Sequence, residues 1–163
     1  MDSIFISYLH SPIGFIEIKA DEEKVLSISF LDAEPHQNNG NMENNLVLKV
    51  KQQLQDYFEK KASSFDLPLH LSATSFQQKV WTQLQTIPFG KTISYLQLAI
   101  DLGDEKCIRA AASANGKNPF AIVVPCHRVI GKDGSLTGYA GGLWRKQWLL
   151  EHEDNIQKQT ALF

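Results

Sequence analysis

The chain has 163 residues, of which 43% are hydrophobic and 21% are charged, and its formal net charge is −2. These values are typical of a globular protein with one large domain or two small ones. No apolar run approaches the roughly 20 residues that span a bilayer, and the N-terminus lacks the basic and apolar segments of a signal peptide. We therefore expect a cytoplasmic protein with no membrane partner.

The charges are distributed unevenly between the two halves of the chain. Residues 1–74 contain 6 Lys/Arg and 11 Asp/Glu, a net charge of −5, whereas residues 75–163 contain 10 Lys/Arg and 7 Asp/Glu, a net charge of +3. If the protein binds nucleic acid, this asymmetry predicts that the C-terminal half makes the contact. A net charge of +3 is modest, and an ordinary solvated surface explains it equally well.

The N-terminal half has the pattern of a small antiparallel sheet followed by a helix. Polar and apolar residues alternate over residues 4–9, 13–20 and 25–31, as they do in half-buried strands. After a polar loop, apolar residues recur at helical spacing over residues 46–58. Residues 67–71 form a short extended segment whose proline suits the edge of a sheet. We see no candidate chemistry in this half and predict a scaffold.

The C-terminal half begins with a helix that Thr74 or Ser75 caps and that a Pro-Phe-Gly sequence ends. Two shorter helices follow, over residues 95–102 and 105–115, and Gly103 lies at the turn between them. Two short helices joined by a tight turn predict a helix-turn-helix.

The second of these short helices has unusually small side chains. Its centre is a run of alanine and serine over residues 110–114, and Arg109 is its one long side chain. Close packing against another helix explains such a run. Alternatively, the helix approaches DNA closely. Because base readout in the major groove uses long polar side chains, such a helix would bind the minor groove with little sequence preference.

The tetrapeptide Pro125-Cys126-His127-Arg128 is the strongest chemical signal in the chain. It follows an apolar run at residues 121–124 that has the pattern of a strand. A thiol is a nucleophile only as the thiolate, which a neighbouring base or positive charge favours. The alternative is a buried structural cysteine. The second cysteine, Cys107, and the scattered histidines do not form a zinc-binding pattern, so we predict no metal site.

A glycine-rich loop over residues 131–142 follows this motif. Because glycine permits close approach of the backbone, the loop can wrap a pocket. We predict a closing helix over residues 143–153 and a frayed tail over residues 154–163.

These motifs, in this order, resemble the O6-alkylguanine-DNA alkyltransferases, also called methylated-DNA–protein-cysteine methyltransferases. The resemblance is strong over about residues 74–153, and the N-terminal half agrees only in general layout. The matching segments are residues 93–95, Arg109-Ala110, Asn118-Pro119, residues 125–131, residues 138–142 and residues 148–150.

The resemblance implies a mixed α/β (α+β) fold in two domains. Residues 1–73 would form a ribonuclease-H-like scaffold, and residues 74–163 a mostly helical domain with a winged-helix-like helix-turn-helix. The implied function is DNA repair by direct reversal. In this reaction Cys126 irreversibly takes the alkyl group from O6-alkylguanine, or from O4-alkylthymine, in bases flipped out of double-stranded DNA. Each molecule acts once and needs no cofactor, and we expect a monomer.

The resemblance also implies roles for individual residues. Cys126 is the nucleophile and alkyl acceptor, His127 is a base that acts through a water molecule, and Glu153 orients His127. Tyr95 donates a proton to the leaving guanine, and Asn118 braces the active-site turn. The implied contacts to the substrate base come from Tyr139, Ala140 and the Val129 carbonyl. The implied DNA contacts are Arg109, which fills the vacated base position, Ala110, Ser94, Ser113, Asn115, Lys117 and Arg128.

Two alternatives belong to other functional classes. A non-enzymatic helix-turn-helix module that recognises alkylated DNA needs no thiolate, so its function would survive replacement of Cys126 by alanine. A cysteine hydrolase using Cys126 and His127 would turn over many times. Adjacent side chains of a strand point to opposite faces, which weakens direct pairing of this cysteine and histidine.

Overall fold

The computed structural model describes residues 3–36 and 42–161, and side chains of the last helix as far as Asp154. The chain divides between Leu71 and Ser72 into two compact units. The mixed α/β fold expected from the sequence is confirmed: a small antiparallel sheet with one helix is followed by a mostly helical unit. In the described part of the chain, no helix combines the length and apolarity needed to cross a membrane.

The first unit contains a three-stranded antiparallel meander and one helix. Its strands are β1 (Phe5–Ser11), β2 (Gly14–Ala20) and β3 (Val25–Phe30), with β2 in the centre. Alternate residues of β2 are buried, as the sequence pattern predicts. Helix α1 (Asn45–Phe58) packs an apolar face onto β1 and β2, and residues 68–70 pair beside Val25.

The second unit begins with three helices. In α2 (Ser75–Leu84), Thr74 and Gln77 form a capping box. Helix α3 (Tyr95–Asp101) is separated by a turn, in which Gly103 has a φ of 101°, from a 3-10 turn and then α4 (Ile108–Gly116). Helix α4 packs against both α2 and α3. The expected helix-turn-helix is present, although the first turn of the second helix is 3-10 rather than α.

Two expectations about the rest of this unit are wrong. Residues 121–124 form consecutive turns, and the short strand β5 (Val129–Ile130) pairs in parallel with β4 (Ile93–Ser94) only after the Cys-His-Arg sequence. The last helix, α5 (Leu143–Ala161), continues through eight residues that we expected to be frayed. No glycine or proline lies between its ends, so nothing in the sequence stops it.

Candidate active site

Cys126 lies on a turn whose shape depends on the side chain of Asn118. The backbone N–H of Cys126 donates to the Val124 carbonyl at 2.8 Å. Asn118 Nδ2 donates to that carbonyl at 2.7 Å and to the Phe120 carbonyl at 3.3 Å, and its Oδ1 accepts from the Phe120 N–H at 2.9 Å. The Asn118 carboxamide makes the backbone hydrogen bonds that a neighbouring strand would otherwise make. The apolar run therefore turns back on itself before Cys126.

Strain in the backbone accompanies this turn. Ile122 has a φ of 70°, a conformation that a β-branched residue rarely adopts. The Val123 N–H donates to the Ala121 carbonyl at 2.8 Å, which closes a three-residue turn around it. A strained residue of this kind persists where the surrounding structure holds it, and Ile122 lies four residues before the cysteine.

His127 and Glu153 form a buried pair behind the cysteine. His127 follows Cys126 in the same 3-10 turn, and its Nε2 lies 2.7 Å from Glu153 Oε2 on α5. The exposed fractions of the two side chains are 0% and 1%. Burial alone would raise the pKa of Glu153, but the hydrogen bond from His127 and the hydrogen bonds and charge of Arg128 outweigh it and hold the pKa well below its usual range. Glu153 is therefore ionised.

The ionised carboxylate fixes the tautomer of His127. Nε2 must carry the proton that it donates to Glu153, which leaves Nδ1 as an acceptor. Burial lowers the pKa of His127 despite the opposing effect of Glu153, so the ring is neutral near neutral pH. Nδ1 is buried and has no hydrogen-bond partner among the described residues. The ring is thus oriented as a base with its free nitrogen available.

The thiol of Cys126 is protonated at rest. It is buried, with 7% of the residue exposed, and burial raises its pKa, although a hydrogen bond from Asn118 and the charge of Lys146 act in the opposite direction. A thiol with a raised pKa needs a base to become a nucleophile. The neutral imidazole one residue away has an unprotonated nitrogen that can accept a proton.

Lys146 is a residue of this site that the sequence analysis missed. It is fully buried on α5, and its Nζ donates to the carbonyls of Val129 at 2.7 Å, Thr137 at 2.9 Å and Gly138 at 3.4 Å. A signal was available, because Lys146 lies three residues before Leu149 and seven before Glu153, on the same face of the helix. Lysine is almost never fully buried, so its residue type alone indicates an exposed position.

The residues expected to bind the substrate base lie around this lysine and the glycine-rich loop. The hydroxyl of Tyr95 donates to the Thr137 carbonyl at 3.0 Å, so Tyr95 and Lys146 share one acceptor. Burial, and then the charge of Cys126, raises the pKa of Tyr139 well above its usual range, so the phenol stays protonated. Ala140 is exposed on the loop.

Comparison with known proteins identifies the family. The model described as "6-O-methylguanine DNA methyltransferase, ribonuclease-like domain" matches residues 4–71, and that described as "6-O-methylguanine DNA methyltransferase, DNA binding domain" matches residues 75–155. The chain belongs to the 6-O-methylguanine DNA methyltransferase family. The family expected from the sequence is confirmed.

Individual relatives of this methyltransferase family match almost the whole chain. A methylated-DNA–protein-cysteine methyltransferase of Methanosarcina barkeri is 40% identical over 155 residues, which cover 93% of this chain and 98% of that protein. Crystal structures of Mycobacterium tuberculosis O6-methylguanine methyltransferase and of Mycobacterium tuberculosis OGT in complex with DNA both have a TM-score of 0.84. The first is 38% identical and covers 94% of each chain, and the second is 39% identical and covers 93% of this chain and 94% of its own.

Four of the expected DNA contacts of this methyltransferase lie on one exposed face of α4 and its end. Arg109, Ala110, Ser113 and Lys117 are all exposed, and their spacing places them on the same side of a helix. Ser94 is partly buried, and its hydroxyl accepts from the Gln97 N–H at 3.0 Å as the cap of α3. The exposed face carries two long basic side chains, Arg109 and Lys117, and two small side chains, Ala110 and Ser113.

The structure places the other two expected DNA contacts, Arg128 and Asn115, inside the protein. Arg128 is 6% exposed, because its guanidinium donates to Glu153 Oε1 at 2.8 Å and Oε2 at 3.2 Å and to the Ile87 carbonyl at 2.8 Å. Asn115 is 3% exposed, and its Nδ2 donates to the Cys126 carbonyl at 3.4 Å. Arg128 therefore holds the carboxylate of Glu153 in place, and Asn115 contacts the backbone of Cys126.

Proposed function

We propose that this protein repairs alkylated DNA by moving the alkyl group from O6 of guanine to Sγ of Cys126. The observation that carries the proposal is the arrangement of a buried thiol, a neutral histidine with a free Nδ1, and an ionised glutamate that fixes the histidine tautomer. The names of the relatives support the same reaction. O4-alkylthymine presents a similar alkyl–oxygen bond and is a second candidate substrate.

The reaction breaks the S–H bond of Cys126 and the bond between O6 and the alkyl carbon. The thiol proton passes to His127 Nδ1 through a water molecule, and the imidazolium that forms is stabilised by Glu153. The thiolate then attacks the alkyl carbon, and an S–C bond replaces the C–O bond. The product thioether has no route back to a thiol, so each molecule acts once.

The leaving guanine gains electrons and needs a proton. Tyr95 is the candidate donor, and to act it must exchange its hydrogen bond to the Thr137 carbonyl for one to the base. The Val129 carbonyl already accepts from Lys146, but a carbonyl oxygen has two lone pairs and can also accept from the guanine amine. Tyr139 and Ala140 complete the proposed base pocket.

The base must leave the double helix to reach a buried thiol, at a cost of a few kcal/mol. We propose that the exposed face of α4 lies against the duplex, where Arg109 enters the vacated position. The small Ala110 and Ser113 allow the backbone to approach a narrow minor groove. Lys117 contacts phosphate, and none of these contacts selects a base sequence. The monomer presents one such face.

Intact-protein mass spectrometry tests the proposal. After incubation with a duplex that contains one O6-methylguanine, the protein should gain the mass of one methylene, saturating at one per molecule, on the peptide that contains Cys126. The matched Cys126→Ala protein should bind the duplex and show no gain in mass. Binding without any mass change in the wild type would favour the non-enzymatic recognition module, and repeated turnover would favour a hydrolase.

A further inference from the structure

Asn115 is a buried polar residue that the proposed reaction leaves without a role. It lies near the C-terminal end of α4 and is 3% exposed. Its Nδ2 donates to the Cys126 carbonyl, but its Oδ1 has no hydrogen-bond partner among the described residues. Buried polar atoms almost always have a partner, and an exception needs a physical reason.

Two further polar groups belong to the residue that Asn115 contacts and to the residue after it. From amide bond lengths, Oδ1 is roughly 2.2 Å from Nδ2, which places it within about 6 Å of the Cys126 carbonyl. The thiol belongs to the same residue, and the unpartnered Nδ1 of His127 belongs to the next. Asn115 Oδ1 and His127 Nδ1, which both lack a hydrogen-bond partner among the described residues, thus belong to side chains that adjoin Cys126.

The hydrogen-bonding capacity of these three groups matches one water molecule. Because Nε2 of His127 carries the proton, Nδ1 is an acceptor, and the carboxamide oxygen of Asn115 is also an acceptor. The thiol is a donor. A water molecule offers two hydrogens and accepts through its lone pairs, which satisfies all three groups together. Buried waters make about three hydrogen bonds to groups that otherwise lack partners.

We propose that Asn115 is a positioning residue whose Oδ1 holds the water molecule that carries the proton from Cys126 to His127. The inference rests on the proposed role of Cys126 as alkyl acceptor. At rest, the water donates to Asn115 and to His127 and accepts from the thiol. When the S–H bond breaks, the water takes the thiol proton and passes one of its own to Nδ1. It remains neutral, and its hydrogen bond to Asn115 persists throughout.

Other charged groups around the thiol do not change when Asn115 is replaced. Lys146 faces it from α5, Arg128 and Glu153 lie behind His127, and Tyr139 approaches from the glycine-rich loop. All of them are retained in a variant at position 115. A change in the pH dependence of such a variant therefore reports the path of the proton and not a change in the surrounding charges.

The test is the rate of alkyl transfer from a saturating duplex with one O6-methylguanine, measured in a single turnover between about pH 6 and 10. Asn115→Leu removes the oxygen at similar volume and should slow transfer about tenfold near neutral pH. Its rate should approach that of the wild type as the pH rises, because hydroxide then deprotonates the thiol without the relay. Gln85→Ala, which removes an exposed carboxamide, should have no effect.

A matched pair of variants covers the case in which the leucine variant does not fold. Asn115→Ala and Asn115→Ser differ by one hydroxyl, and the serine variant, which keeps a polar oxygen and leaves room for water, should be the faster near neutral pH. Equal rates in this pair, or an equal loss for the leucine variant at every pH, would overturn the inference in favour of a packing role.

A different readout separates the inference from a role in DNA binding and from the proposed function. Suppose that the leucine variant has reduced affinity for an undamaged duplex but a normal rate of transfer at saturation. This result would identify Asn115 as a DNA contact and overturn the inference. No transfer to Cys126 in the wild type would refute the proposed function itself, whatever the variants do.

Discussion

Replacement of Glu153 by glutamine is expected to damage both the stability and the chemistry of the second unit. The carboxylate accepts hydrogen bonds from His127, from two nitrogens of Arg128 and, at 3.4 Å, from the Gly90 N–H. Glutamine offers one oxygen and one NH₂ group. If its oxygen faces Arg128, its NH₂ group faces His127, whose Nε2 must then become an acceptor. The ring proton moves to Nδ1, and the base loses its free nitrogen.

The two consequences have separate magnitudes. Removing one partner of a buried ion pair costs about 3–5 kcal/mol in unfolding free energy, and Arg128 would keep its charge with 8% of its side chain exposed. In a catalytic triad, holding the histidine in the wrong tautomer lowers the rate by about 10⁴-fold. We therefore expect Glu153→Gln to be less stable by several kcal/mol and slower in alkyl transfer by more than about 100-fold.

Tryptophan fluorescence during urea unfolding measures the unfolding free energy of the second unit, residues 72–163. All three tryptophans lie in residues 72–163, so the signal reports this unit alone. Arg128→Met and the double variant complete a double-mutant cycle, in which the double variant should lose less stability than the two single losses added together. An unfolding free energy of Glu153→Gln within about 1 kcal/mol of the wild type, or additive losses, would refute the reasoning.

The pH dependence of stability gives a second check on Glu153. Its pKa is lower in the folded state, so its contribution is present above the unfolded glutamate pKa of about 4.3 and is lost as the pH falls. The lowered pKa of His127 acts in the same direction, since the unfolded state binds its proton first as the pH falls through about 6.5. The wild type should therefore lose more stability than Glu153→Gln on acidification below about pH 5.

Three further variants test other parts of the site. Asn118→Ala removes three hydrogen bonds from the active-site turn and should lower the unfolding free energy by about 2–3 kcal/mol in urea titrations, with slower transfer. Lys146→Met removes a positive charge near Cys126, so the pH–rate profile of transfer should move to higher pH. Arg109→Ala should weaken duplex binding and reduce its salt dependence, and an unchanged affinity in a titration would exclude α4 as the proposed DNA face.

The local motifs of this chain were visible in its sequence. Strand alternation, helical spacing and caps depend on neighbouring residues, and they predicted the meander, α1 and the helix-turn-helix. The Cys126-His127 pair is likewise local, and its chemistry follows from residue type. The resemblance added Glu153, which is distant in sequence and reaches His127 only through the packing of α5.

Tertiary structure decided where each polar side chain points. Arg128 and Asn115 have the residue types of DNA contacts, but a buried carboxylate and the Cys126 backbone hold them inside. Lys146 has the residue type of a surface position, yet inside the protein its ammonium group donates hydrogen bonds to three backbone carbonyls. The apolar run before Cys126 matches a strand until the Asn118 carboxamide takes its hydrogen bonds. Sequence specifies which hydrogen-bonding groups exist, whereas partners distant in the chain become available only when the fold brings them together.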